Sequence, residues 1–111
     1  MNPHWRSFLE STEGVFDGDS TELLHFGDAA GELLAAAQRT VIVPLTHLGL
    51  IEASGDAGKT FLHSQFTNDV NHLQASQAQH AGWCNAKGRM QASFLVWRGE
   101  GSYFLALAAD L

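Results

Sequence analysis

Two apolar runs near the end of the chain, Phe94-Leu95-Val96-Trp97 and Tyr103-Phe104-Leu105-Ala106-Leu107, are separated by a short loop carrying Gly99-Glu100-Gly101. Such runs flanking a glycine-bearing loop fold back on each other as a β-hairpin, so this half of the chain is committed to antiparallel pairing. The two strands of that hairpin are expected over residues 89–97 and 102–108; a further strand over 77–85 leads into the first through a glycine turn at Lys87-Gly88, and another is expected over 48–54. A shorter strand, interrupted by Pro44, is expected over 40–45; Pro cannot donate to a ladder and confines it to an edge or an end.

Helical signals dominate the first half. Asn2-Pro3 starts a helix over residues 3–12: Asn accepts free amide hydrogens, Pro loses nothing at the first helical position, and Trp5, Phe8 and Leu9 fall on one face. Gly14, Gly18 and the Asp/Ser-rich residues 17–21 break it into a loop. Asp28 caps a second helix reaching Arg39, rich in alanine and leucine. A third, short helix follows Gly55-Asp56 and carries Phe61, Leu62 and Phe66, with Phe61 and Leu62 turned inward. The expected fold is α+β, an antiparallel sheet with helices on one side. Residues 1–40 form a helical extension and 41–111 the sheet domain.

At 111 residues and 45% hydrophobic content, one packed core is affordable. Charge is uneven: residues 1–40 hold seven acids against Arg6 and Arg39, residues 41–111 five acids against four bases, for a net −6. That excess repels nucleic-acid phosphates, so no direct DNA or RNA binding is expected. No long apolar run marks a membrane span, and a lone cysteine with an acidic early segment points to a cytoplasmic protein.

Several residue groups invite chemistry. Ala53-Ser54-Gly55-Asp56-Ala57-Gly58-Lys59-Thr60 nearly spells a phosphate-binding P-loop, with Ala replacing its first Gly. Asp56 would put a carboxylate inside that loop, however, and a hairpin is not the parallel crossover that such a loop needs. His80 and Cys84 are four apart on a strand, with His63 or His72 on the helix side, yet no other residue has ligand spacing and no metal is expected. Cys84 has no signature base beside it and reads as packing. Thr67, Asn68 and Asp69 read as caps for a helix after Thr67. The aromatics Trp83, Phe94, Trp97, Tyr103 and Phe104 read as core of the sheet.

One longer pattern spans these pieces: Gly55, Asp56, Phe61, Leu62, Gln65, Thr67, Asn68, Asp69 and Val70, followed by Cys84, Lys87, Gly88 and Arg89. It resembles the first folate-binding segment of the family that joins the glycine-cleavage T-protein (aminomethyltransferase) to YgfZ-type folate-binding proteins, and covers residues 41–111. The resemblance implies the N-terminal part of a folate-binding domain in a truncated chain, with tetrahydrofolate as cofactor. Transferases of the family carry an Asp-Asp pair where this chain has Ala92 and Ser93. Ser93 can exchange hydrogen bonds but cannot act as a carboxylate base. Lys87-Gly88-Arg89, where transferases tend to have Gly-Gly, also points to the YgfZ-like branch: a tetrahydrofolate-binding, non-transferase protein that supports iron–sulfur enzymes and tRNA modification. By the same count His80 stands where transferases place a ligand-lining Tyr, and Leu48 where YgfZ-like proteins carry a folate-contacting Trp. The implied ligand-facing residues are Ser93, Leu95, His80 and Asn68, and the implied partners are the ligand and further domains of the same chain that carry a downstream Lys-Gly-Cys motif. Aminomethyltransferase activity and P-loop nucleotide binding are the alternatives.

Overall fold

The computed structural model describes residues 1–111. The chain forms two compact units, Met1–His47 and Leu48–Leu111. Together they hold three helices and two antiparallel sheets, an α+β composition.

In the first unit, α1 (Pro3–Ser11) is capped by Asn2, whose side chain accepts from the His4 amide. Pro3 sits in the first turn, where it loses no hydrogen bond. α2 (Ala29–Gln38) is capped by Asp28 accepting from the Gly31 amide, and Glu32 reaches back to the amides of Phe26 and Asp28. This reciprocal arrangement satisfies donors that a helix start leaves free. Between the helices the chain is not a plain loop. β1 (Val15–Phe16) and β2 (Leu23–His25) pair antiparallel, and Arg6 holds the connection by donating to the carbonyls of Gly18 and Ser20 with its guanidinium over the Phe16 ring. A two-residue strand is too short to show alternation in sequence. The unit is therefore helical with a hairpin, and as a compact body it runs to His47.

The strand expected over 40–45 does not form. Pro44 lacks an amide donor, and residues 41–44 run beside β2 around a shared cavity without forming a ladder, with Ile42 97% exposed.

The second unit is one four-stranded sheet in the order β3-β6-β5-β4, every pair antiparallel: β3 (Leu48–Ser54), β4 (Ala78–Cys84), β5 (Met90–Arg98) and β6 (Ser102–Ala108). The expected hairpin is β5–β6, with Trp97 opposite Phe104 and their rings stacked. Its turn uses Gly101 at φ +77, a left-handed conformation that glycine adopts without strain. Gly99 leaves no room for a Cβ, which would meet the Phe104 ring at 2.5 Å.

Alternation divides the sheet into two faces. One carries Ala81, Phe94, Val96, Tyr103 and Leu105, which with Leu62, Val70 and Leu73 make the hydrophobic core. Leu62 comes from α3 (Gly58–Gln65), while Val70 and Leu73 come from the irregular segment after it. Phe66 closes the helix and stacks on Phe94. Of the two residues expected to point inward, Leu62 does so and Phe61 stays 61% exposed, because a short helix laid on a sheet buries one narrow stripe. Trp83, read as core, is also 44% exposed at the rim.

Thr67, Asn68 and Asp69 do not cap a helix, for none follows them. The side chains of Thr67 and Asn68 bond the unpaired edge of β4 instead, and the Asp69 carboxylate accepts from the Asn71 amide. Nor is there a parallel crossover: β3 runs antiparallel to its only sheet neighbour, β6, which removes the setting that a P-loop requires.

Candidate functional site

The face of the sheet opposite the core is assembled by register. His80 lies opposite Leu95, Leu95 opposite Ala106, and Ala106 opposite Leu50, giving one row across all four strands. Gly82 lies opposite Ser93 in the next row, and Ala78, Trp97, Phe104 and Glu52 form the row beyond. Leu95 is 39% exposed and Leu50 63%, while His80 and Ser93 are also exposed. This face is thus an apolar floor with an imidazole, a hydroxyl and a carboxylate set at intervals.

Three of the four residues singled out in the sequence, His80, Ser93 and Leu95, share this face. Asn68 joins them at the edge, where its Nδ2 donates to the His80 carbonyl at 2.9 Å. Leu48 lies on the same face of β3 as Leu50 and pairs with Ala108. Ala92 and Ser93, where the resemblance implies an acid pair in transferases, lie on opposite faces of the sheet: Ala92 packs against the core and Ser93 looks out. Only the second can meet a ligand on the open face.

What sequence reasoning missed is how the edge of β4 is finished. Thr67 donates its amide to the Gly82 carbonyl and accepts the Gly82 amide on Oγ1, both at 2.9 Å. Gln79 donates to the Asp69 carbonyl. Phe66 and Trp83 form a bridge one residue further on. A Cβ at position 82 would come within 3.3 Å of Thr67 Oγ1 and 3.0 Å of Met90 Cε, so glycine is what allows this close approach. The run Thr67-Asn68-Asp69 signalled a turn, but nothing in its spacing named Gly82 as partner.

The turn from β4 to β5 is organised by Asn85. Its side chain accepts from the amides of Lys87 and Arg89, and Gly88 takes φ +74. Lys87 and Arg89 are left exposed at its tip.

On the core side a second feature opens: a cleft of about 320 Å³ between α3 and the sheet, lined by Ile51, Phe61, Leu62, Phe66, Trp83 and Phe94 among others. Gln65 is its one polar side chain. No group of three His, Cys, Asp or Glu side chains is placed to hold a metal ion. Cys84 is a half-buried free thiol. No helix is long and apolar enough to cross a membrane.

No protein-family profile matches the chain. It is similar to curated proteins of two kinds. Over 58 residues it is 40% identical to the tRNA-modifying protein YgfZ of Vibrio vulnificus strain YJ016, a stretch that covers 51% of this chain and 18% of that protein. Over 67 residues it is 33% identical to the aminomethyltransferase of Bacillus subtilis strain 168, covering 60% of this chain and 18% of the relative. The aminomethyltransferase of Halalkalibacterium halodurans matches over 87 residues at 26% identity, covering 78% and 24%. The chain resembles part of a YgfZ- or aminomethyltransferase-type protein. It spans about a fifth of the length of these relatives.

Proposed function

We propose that this chain is the N-terminal part of the folate-binding domain of a YgfZ-like protein, and that its open sheet face receives the pterin of tetrahydrofolate. The observation that carries the reading is the register of β4 against β5, which sets His80 beside Leu95 and Gly82 beside Ser93 on one exposed face, in a chain similar to both YgfZ and aminomethyltransferase. In this reading Leu95 supports the ring, Ser93 and His80 exchange hydrogen bonds with its edge, and Asn68 fixes the backbone beneath His80. Beside Ser93, Gly82 is covered by Thr67 and Met90, which close the floor at that end.

The same positions favour a binding role over methylene transfer. Transfer calls for a group that carries negative charge beside the developing cation, and a hydroxyl at Ser93 does not supply one at neutral pH. Support of iron–sulfur enzymes and of tRNA modification in the cytoplasm is the biological role that this assignment brings, carried out with the remaining domains of a longer protein. The similarity to aminomethyltransferases keeps one alternative open to experiment, a transferase whose acid comes from elsewhere.

Titration with tetrahydrofolate, followed by the fluorescence of the three tryptophans, tests the proposal on this chain and on a longer natural protein containing it. A saturable change is expected. Leu95→Asp should weaken it at least tenfold, the order expected for losing one buried apolar contact to a charge, while Phe61→Ser on the core side should leave it unchanged. No saturable response from either protein, or equal loss in both variants, refutes the assignment. Methylene transfer by the longer protein would move it to the enzyme branch.

A further inference from the structure

The two outer strands of the second unit's sheet are finished differently. Along β4 the register slips between Trp83 and Cys84, and the segment after α3 bonds the outward backbone groups of Gly82 and His80. β3 pairs with β6 through its whole length, Leu48 to Ser54, without a bulge, and no strand lies on its outer side. Edge strands that stay single are usually short, bulged, or marked with Pro or Lys. β3 has none of these devices, and Glu52 is its one charge. Its side chains are apolar and open on both faces of the sheet: Leu50 is 63% exposed on one, and Ile51 is 48% exposed on the other, where it also lines the cleft beside α3. A partner for this edge must itself be extended, apolar on both faces and nearly free of charge. β3 meets that description.

We infer that β3 pairs with β3 of a second copy of this chain, antiparallel about a two-fold axis at Ile51, so that two four-stranded sheets become one continuous sheet. Ile51 is the middle residue of β3, so this register pairs the whole strand: Leu48 with the partner's Ser54, Gly49 with the partner's Ala53, and Leu50 with the partner's Glu52. Centring on Leu50 or on Glu52 leaves part of the strand unmatched. Centring on Glu52 also sets two carboxylates face to face, which destabilises a cross-strand pair. With the axis at Ile51 the carboxylates stand on either side of it, each beside a leucine. Backbone hydrogen bonds then supply the adhesion, and the two Ile51 side chains cover one another on the core face.

The pairing is independent of the folate assignment and is tested without ligand. Sedimentation equilibrium of the 111-residue chain, from micromolar to millimolar concentration, is expected to show the average mass rising from 12.0 kDa toward twice that value. Ile51→Lys, which puts two ammonium groups at the axis, should abolish the rise, whereas Leu50→Lys, which sets each ammonium opposite the partner's Glu52, should preserve it. Opposed residues of antiparallel strands lie about 5 Å apart at Cα, within disulfide reach. In a Cys84→Ser background, Ile51→Cys should therefore cross-link two chains on addition of glutathione disulfide, and Leu48→Cys, which faces the partner's Ser54, should not. If Ile51→Lys does not fold, as judged by far-ultraviolet circular dichroism, the two cysteine variants decide. The pairing is overturned if the mass stays at one chain throughout, if association survives Ile51→Lys, if Leu50→Lys abolishes it, or if Leu48→Cys cross-links as readily as Ile51→Cys.

Discussion

The two units of this chain are built on opposite economies. Residues 48–111 bury eight side chains in one cluster around a helix whose start, at Ala57, has no side-chain cap. Residues 1–47 cap both of their helices well, yet of their large apolar side chains only Leu9 is buried. Caps and alanine-rich composition are local and act through the nearest backbone; burial depends on what tertiary neighbours a residue is given. The difference teaches that a helix with good terminal signals can form without contributing a core, and that a poorly marked one can be held in place by a single leucine on a sheet.

The sharpest test of that contrast is a pair of leucines. Leu105→Ala, which empties a buried position on β6 between β5 and β3, should cost about 2–4 kcal/mol of stability in urea denaturation. Leu33→Ala, on the exposed side of α2, should stay within about 0.5 kcal/mol. Equal losses would erase the distinction between the units. Next in size are the caps: Asn2→Ala and Asp28→Ala should each cost about 1 kcal/mol, read as lost helical ellipticity confined to the first unit. Gly88→Ala should cost about 1 kcal/mol through its left-handed backbone in the second unit, measured by the shift in thermal midpoint.

The smallest effect concerns acid. The hydrogen bond from His72, helped by the Asn71 amide, holds the Asp69 carboxyl below the usual carboxylate value. A depressed folded-state value contributes stability above the ordinary carboxylate range, and that contribution disappears as pH falls through the lowered one. The stability difference between the wild type and Asp69→Asn should thus shrink toward zero in strong acid. A difference that persists undiminished in strong acid would mean that Asp69 is held in another way.

The parts legible in the sequence were those set by short-range rules. The extent of β3, the pairing of β5 with β6, and the starts of α1 and α2 follow from alternation, a glycine loop and capping residues that each act within a few positions. The grouping of His80, Ser93 and Leu95 came from the family resemblance and not from periodicity; that they share a face is set by the register of β4 on β5, which a shift of one residue would undo. The failures share a cause. Residues 40–45 have strand composition but no partner, Val15–Phe16 has a partner but almost no length, and Phe61 differs from Leu62 only by where α3 lands on the sheet. Thr67 was legible as a turn residue, whereas its bond to Gly82, fifteen positions away, belongs to the assembled fold.

The stitched margin of β4 gives the sheet a direction. β3 offers its far side without a backbone partner, while Thr67 and Asn68 have already taken the corresponding groups of Gly82 and His80. A fifth strand can add beside β3 at no loss, but adding one beside β4 would mean unpicking those bonds first. Growth from this template is one-sided.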